Sequence, residues 1–280
     1  MVKHSEIQWI ASDGTNMHAV RWQPDTEPKM VLCLIHGLGE HSGRYSPMAE
    51  YFANFGVEVV SFDLRGHGKS AGPRGHTDDF SLMVADIAEF LNQASIIDLD
   101  KPHFIYGHSL GGTLALKYAL SHTGQYKGIV LSAPLFKPAF EPPKWKIVLG
   151  RWLQSWWPSL SLSNEVDRQT LTRDKSILEL CELDPLVHDR ISAKLGTQML
   201  EAGEQLLQDV KEVSFPLLMM HGDADGLTCH KSSVMFAEQS GQACTLKVWR
   251  DFYHELHHEP GKEDVFDYTI DWMKRQLQSR

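Results

Sequence analysis

A serine pinned between glycines, where an apolar run meets a helix-forming run, limits what this chain can become. Residues 107–111 read Gly107-His108-Ser109-Leu110-Gly111, and Gly112 follows. Such a G-x-S-x-G pentamer is weak alone, since a chain of this length shows one by chance roughly one time in ten. Its context is selective. Lys101-Pro102-His103-Phe104-Ile105-Tyr106 before it reads as a buried strand, and Thr113-Leu114-Ala115-Leu116-Lys117-Tyr118-Ala119-Leu120 after it is rich in helix formers. Strand, tight turn and helix in that order present a serine hydroxyl at the end of a sheet. The turn requires a strained backbone at Ser109, and side chains at 107 and 111 would collide with neighbouring backbone. The helix N-terminus adds partial positive charge where an oxyanion would form.

A serine nucleophile needs a base and an acid that orients the base. Phe215-Pro216-Leu217-Leu218-Met219-Met220-His221-Gly222 is a second buried-strand run, and it ends in Asp223-Ala224-Asp225-Gly226. An acid just past a strand's C-terminal end sits where open α/β sheets keep their ligands. Thr245-Leu246-Lys247-Val248-Trp249 reads as the last core strand and leads to Asp251-Phe252-Tyr253-His254-Glu255-Leu256-His257-His258. The order Ser, Asp, His is that of the α/β-hydrolase fold and differs from the other serine-protease orders. Ser109 is therefore the expected nucleophile, His254 the base and Asp225 the acid. Asp223 competes with Asp225, its plain role being to cap a turn. His257 and His258 compete with His254, and His258 reads as a solvated histidine.

The donors for an oxyanion are expected from another glycine-rich turn. Met30-Val31-Leu32-Cys33-Leu34-Ile35 is a continuous apolar strand running into His36-Gly37-Leu38-Gly39-Glu40-His41-Ser42-Gly43-Arg44-Tyr45. A backbone N–H from this loop and that of the residue after the nucleophile form the usual pair, here Leu38 and Leu110. Asp63 of Asp63-Leu64-Arg65-Gly66-His67-Gly68 precedes the serine, and reads as ordering its own loop with Arg65 as partner.

The remaining pattern is strand and helix in alternation. Residues 5 to 23 read as an antiparallel edge hairpin around Asp13-Gly14. Apolar runs at 31–35, 57–62, 103–107, 128–132, 216–221 and 245–249 are candidate parallel strands, with helical segments near 46–55, 80–94, 112–121, 231–240 and 263–278. That is a mostly parallel, doubly wound sheet with helices on both faces. The alternation stops between Pro134 and about Val213, a stretch with Pro138, Pro142, Pro143 and Pro158, helical segments at 174–184 and 188–211, and no strand candidate. The division expected is 1–133 and 214–280 for the α/β core, with 134–213 a helical cap inserted over the site. In the cap, Trp145, Ile147, Val148, Leu149, Trp152, Leu153, Trp156 and Trp157 crowd one short helix flanked by Lys144, Lys146 and Arg151. An interfacial helix dipping into lipid would look like this. So would a helix packed on the sheet or on a dimer mate.

Composition narrows the class. At 280 residues with 42% hydrophobic content, the chain can bury one sizeable core. A net charge of −9 argues against a nucleic-acid partner. Four scattered cysteines (Cys33, Cys181, Cys229, Cys244) lack metal spacing and are expected reduced. No metal site is expected, since His257-His258 and the lone His221 miss the helical H-E-x-x-H spacing. The first residues lack a signal-peptide run, and no apolar stretch is long enough to span a bilayer, so a cytoplasmic protein with at most peripheral membrane contact is expected.

Several longer strings carry a resemblance. His36-Gly-Leu-Gly-Glu-His-Ser-Gly-Arg-Tyr45, Asp63-Leu-Arg-Gly-His-Gly-Lys-Ser70, Gly107-His-Ser-Leu-Gly-Gly112, Asp184-Pro-Leu-Val187 and Tyr253-His-Glu-Leu-His257 together resemble the monoacylglycerol lipase family. That group of α/β-hydrolase superfamily serine hydrolases includes lysophospholipase-like proteins. The resemblance implies a cofactor-free carboxylester hydrolase that releases glycerol and a fatty acid from monoacylglycerols. It implies that Glu40, Arg44 and His257 line the polar, head-group end of the pocket. A tyrosine that some relatives place there stands here as Cys181, next to Glu182, a further head-group candidate. Lysophospholipase or short- and medium-chain esterase activity would use the same catalytic residues. A non-catalytic binding relative would be expected to lack one of Ser109, Asp225 and His254.

Overall fold

The computed structural model describes residues 2–93, 100–122, 126–141, 143–210 and 213–278. Ala94, Pro142 and Lys211 of the segments read above lie outside the described residues, as do the side chains of Lys144, Lys146 and Ile147. One eight-stranded sheet runs through the core. In chain order its strands are β1 (Lys3–Ile10), β2 (Asn16–Gln23), β3 (Met30–Ile35), β4 (Val57–Phe62), β5 (His103–His108), β6 (Gly128–Ser132), β9 (Leu217–Gly222) and β10 (Cys244–Trp249), with spatial order β1-β2-β4-β3-β5-β6-β9-β10. The expected edge hairpin is there: β1 and β2 pair antiparallel, and β2 joins β4 antiparallel. The other pairings are parallel.

Burial explains the sequence pattern. Strands β3, β4, β6 and β9 are buried along their whole length, so their runs are mostly apolar instead of alternating, with Glu58 and Ser61 of β4 and His221 of β9 among the buried polar exceptions. β1 is mostly exposed and carries His4, Ser5, Glu6 and Gln8, polar residues suited to an unpaired edge. Helices α1 (Ser46–Ala53) and α8 (Lys262–Gln278) cover one face, while α2 (Phe80–Leu91) and α3 (Leu110–Ser121) cover the other. α7 (His230–Gln239) packs beside β9 and β10.

The strand order fixes where a ligand can sit. From β3 the chain crosses to β4 on one side, and from β5 to β6 on the other, although β3 and β5 are neighbours. At such a switch point the loops leaving the carboxyl ends part and leave a crevice. The two loops are the 36–45 turn and the Ser109 turn.

Between β6 and β9, themselves paired, the chain makes its long insertion. It holds α4 (Lys144–Trp156), β7 (Ser161–Ser163), α5 (Lys175–Leu183), β8 (Arg190–Ser192) and α6 (Ala193–Gln208). The expectation of no strand here is corrected: β7 and β8 pair antiparallel, with Leu162 opposite Ile191. Three-residue strands reading Ser-Leu-Ser and Arg-Ile-Ser are too short to give a periodic signal. α6 is not confined to a cap, because Leu195, Ala202, Leu206 and Leu207 join the buried cluster that also holds α2 and α3. Backbone bonds tie the insertion to the core: Ser192 N–H donates to Gly75 O (2.9 Å), His188 N–H to Gly39 O (2.9 Å) and Glu255 N–H to Leu171 O (2.8 Å). Among the described residues no helix is long and apolar enough to cross a membrane.

Candidate active site

Ser109 sits at φ 53°, ψ −118°, a left-handed conformation rare for a non-glycine residue. Strain of about 1–3 kcal/mol persists only where the surroundings over-determine it. Here they do. The Ser109 N–H donates to Ser132 O (3.0 Å), and its carbonyl accepts from Gly112 N (3.0 Å) and Leu135 N (3.1 Å). A Cβ on Gly107 would lie 2.4 Å from Gly111 O, and one on Gly111 would lie 2.2 Å from Ile35 O. Both glycines are thus required by close approach. Leu110 opens α3, so its N–H has no partner within the helix and points from the positive end of the helix dipole.

The structure joins Asp225 and His254 and leaves Asp223 apart. His254 Nδ1 lies 2.7 Å from Asp225 Oδ2, and both residues are buried. Asp223 is exposed and accepts from Asp251 N (2.6 Å), tying two loops together. Burial alone would raise the Asp225 pKa, but the charge of His254 and bonds from His221 and His254 hold it well below the ordinary carboxylate range. Burial alone would lower the His254 pKa, yet the Asp225 carboxylate prevails and raises it. Among the described residues His254 hydrogen-bonds only through Nδ1, to Asp225 and Thr228, so Nε2 is left to take a proton. The ring rests on His108, the residue before Ser109, at 4.7 Å between centroids. Burial pushes His108 down to about 4, so it is a neutral platform near neutral pH.

The 36–45 turn lies against the serine: a Cβ on Gly37 would be 3.2 Å from Ser109 Cβ. Gly37 N–H donates to Glu40 Oε1 (2.6 Å), and Tyr45 O–H donates to the same oxygen (2.8 Å). His36 bonds Gly37 O through Nδ1 (2.7 Å) and accepts from Leu64 N at Nε2 (2.9 Å), so its proton is assigned to Nδ1. Arg44 holds Glu40 at 2.9 Å and grips both oxygens of Glu255 at 2.7 and 2.8 Å. Burial would raise the Glu40 pKa, but the Arg44 charge outweighs it and lowers it. The insertion also touches this turn, through His41 Nε2 to Asp184 Oδ2 at 2.8 Å.

Of the four head-group candidates, Glu40 is buried and the side chain of Arg44 largely covered, their polar atoms committed to one another and, from Arg44, to Glu255, and Glu182 is exposed while Cys181 takes the buried place. His257 differs. It is 1% exposed, stacks on Tyr45 at 4.4 Å, meets His108 edge-on at 4.9 Å, and neither ring nitrogen has a hydrogen-bond partner among the described residues. Burial, with the neighbouring His258, sets its pKa well below the usual value.

Two expectations are corrected. His258 is buried, not solvated, because the short turn Leu256–His258 tucks it back onto Glu255 (Nδ1, 2.7 Å) and Arg44 O (Nε2, 3.1 Å). Asp63 does order its loop, accepting from Ser42 N (2.8 Å), Ser42 Oγ (2.6 Å) and Lys69 N (2.8 Å), but Arg65 is not its partner. Arg65 turns to Asp86 on α2 (2.7 and 2.6 Å) and to Asp13 (2.9 Å). Glu255, His257 and His258 bring possible ligand atoms within 4.8 Å of one another, but the Arg44 guanidinium already occupies both Glu255 oxygens and would repel a cation there. Two neighbours of Asp225 were not singled out from sequence. Thr228 Oγ1 lies 2.8 Å and His221 Nε2 3.0 Å from Asp225 Oδ2. The D-x-x-T spacing of an acid-loop turn was the available signal for Thr228, and His221 in its apolar strand gave none.

Residues 26–261 match the family model described as serine aminopeptidase, S33. A Dictyostelium discoideum protein described as an uncharacterized abhydrolase domain-containing protein is 37% identical over 96% of this chain, which spans 29% of that protein's length. A monoacylglycerol lipase of Mycolicibacterium smegmatis is 31% identical, with 98% of each chain covered. Among solved structures, the monoacylglycerol lipase of Paleococcus ferrophilus superposes with a TM-score of 0.83 at 29% identity, covering 99% of both chains. Sequence strings, sheet order and these matches agree: the chain belongs to the serine aminopeptidase S33 family of α/β-hydrolases, alongside the monoacylglycerol lipases it is similar to over nearly its whole length.

Proposed function

We propose that this protein is a serine carboxylester hydrolase that cleaves monoacylglycerols through an acyl-enzyme on Ser109. The observation that carries the reading is the Asp225–His254 pair, 2.7 Å apart, leaning on the residue that precedes a strained serine. Ser109 Oγ attacks the ester carbonyl while His254 Nε2 takes its proton, and Asp225 stabilises the imidazolium that forms. The N–H groups of Leu38 and Leu110 receive the developing oxyanion. His254 then protonates the departing glycerol oxygen. A water activated by the same nitrogen next attacks the acyl-enzyme, and the fatty acid leaves.

A neutral head group suits the site better than a phosphodiester. The Arg44 charge is spent on two carboxylates, Glu40 and Glu255, so it offers no free cation to phosphate. His257 has two uncommitted nitrogens and stays neutral, and a neutral imidazole donates one hydrogen bond and accepts one, as an alcohol does. We assign the glycerol hydroxyls to His257, with Glu40 and Arg44 holding the turn that carries it. The insertion serves as a cap. Trp145, Trp152, Trp156 and Trp157 are each more than half exposed, which favours contact with a lipid surface over burial against the sheet. A cytoplasmic protein in peripheral contact with membrane or micelle accords with these features.

Labelling by a fluorophosphonate probe tests the nucleophile: the wild type should label, and Ser109→Ala should neither label nor turn over substrate. Labelling of Ser109→Ala would sink the assignment. Turnover of monoacylglycerols, lysophospholipids and nitrophenyl esters compared side by side tests the substrate, and preference for lysophospholipid would overturn the head-group reading.

A further inference from the structure

Asp225 lies between two histidines. His221, on β9 four residues earlier, is fully buried, and its Nε2 is 3.0 Å from the same Oδ2 that bonds His254. Its other nitrogen, Nδ1, is 2.8 Å from Ser233 Oγ on α7, itself fully buried. Burial, prevailing over the pull of Asp225, lowers the His221 pKa, so the ring carries one N–H. An ionised carboxylate only accepts, so that N–H is on Nε2, and Nδ1 accepts from the Ser233 hydroxyl. The reverse tautomer would set a lone pair against the carboxylate. Thr228 Oγ1 adds a bond to Oδ2 at 2.8 Å, and the N–H groups of Leu227 and Thr228 hold Oδ1 at 2.7 and 3.0 Å.

We propose that His221, held by Ser233, is a positioning residue for the reaction: it fixes the Asp225 carboxylate and draws off part of its charge, and so sets both the orientation and the basicity of His254. The proposal rests on Asp225 being the triad acid. Two consequences follow from removing the Nε2–H bond. The carboxylate is freer to turn, which misplaces His254 relative to Ser109 and lowers kcat. Oδ2 also concentrates its charge on His254, which then holds its proton to higher pH. His254 is otherwise faced by His108, Glu255 and Glu40, and His221 by His254 and by His230 on α7, at 6.4 Å between rings. None of those groups is altered by the substitutions below.

In steady-state kinetics on a soluble ester, His221→Leu should lower kcat by about 10- to 100-fold with KM little changed. The acid limb of kcat/KM should move to higher pH. His221→Gln keeps an N–H donor within reach of Asp225, and should recover most of both changes. Ser233→Ala, which touches neither Asp225 nor His254, should shift rate and limb in the same direction by less. A folded His221→Leu with unmoved kcat and unmoved limb overturns the proposal. Where His221→Leu does not fold, an unmoved rate and limb in Ser233→Ala overturns it equally. So does a nitrogen-15 spectrum of the wild type that places the His221 proton on Nδ1. Asp225→Asn separates the two levels: full turnover there removes the acid assignment itself, whereas lost turnover there beside an unchanged His221→Leu removes only the role of His221.

Discussion

The carboxyl end of the sheet and the insertion above it treat their side chains in opposite ways. At the sheet end, charged groups are buried: Glu40, Asp63, Asp225 and Glu255 are each 7% exposed or less. Burying a charge costs several kcal/mol unless bonds repay it, and each of these is bonded on more than one side. In the insertion, large apolar groups face outward, among them Trp156 at 76% and Leu183 at 80% exposed. The stripe Trp145, Val148, Leu149, Trp152 and Trp156 has helical spacing, yet it is the other side of α4 that packs on α6. One region commits its charged groups to a fixed network, and the other turns apolar side chains outward.

The sharpest way to break this contrast is at the two aspartates. Asp225→Asn should lower kcat by about 10⁴-fold, because an amide in that place favours the wrong imidazole tautomer. Asp223→Asn, on an exposed carboxylate two residues away, should leave kcat within about two-fold and stability within ~0.5 kcal/mol. Parallel kinetics and thermal melts decide it. A larger kcat loss in Asp223→Asn at unchanged Tm would reverse the assignment.

Acid should act mostly on the buried region, although His188 and Asp184 of the insertion also have lowered pKa values. In the proposed mechanism His254 is a base only when neutral, and its pKa is raised, so kcat/KM should fall as pH drops below a midpoint higher than the ordinary histidine value of ~6.5. Asp225 adds no limb near neutrality, because its pKa is depressed. Stability carries both signs. The raised His254 pKa stabilises the fold below ~6.5, and that contribution is lost as pH rises through the folded value. The lowered pKa values of His36, His67, His108, His221 and His257 work the other way: their contribution is present above ~6.5 and lost as pH falls. They outnumber His254 and His18, the raised pair, so Tm should decline steadily from near neutral pH downward. A Tm that rises on acidification to pH 5 would contradict this balance.

What was legible in the chain divides along the same line. Ser109, Asp225 and His254 each follow a strand end, so apolar runs and turn residues locate them, and the positive φ of Ser109 was implied by its glycines. The strand and helix positions of the core were readable because burial on both faces writes continuous apolar runs. Networks among buried polar residues were not. His221 sits in an apolar strand, and nothing in Met-Met-His-Gly says that its ring meets Asp225. Arg65 was paired with its loop neighbour Asp63, whereas its long side chain reaches Asp86 instead. His258 looked solvated because its neighbours are charged, yet those charges are themselves buried around Arg44. The β7–β8 pair was invisible for a different reason, being shorter than any period it could display.

The smallest effect on chemistry, and the clearest on location, is expected from the exposed tryptophans. Trp156→Ser with Trp157→Ser removes two side chains that are 76% and 61% exposed, so little packing is lost and Tm should hardly move. If this face meets lipid, each lost ring forgoes about 2 kcal/mol of burial by area, and partitioning onto vesicles should fall by ten-fold or more. Hydrolysis of a soluble short-chain ester should stay near the wild-type rate, because that substrate needs no interface and the pair lies outside the network around Asp225. A face that instead meets a second copy of the chain would behave differently. The double variant would then change its elution in size-exclusion chromatography, and vesicle sedimentation would be the same before and after substitution. Loss of activity on soluble and aggregated substrates alike would show that these tryptophans support the site itself, and the separation between a rigid sheet end and an outward-facing insertion would not hold.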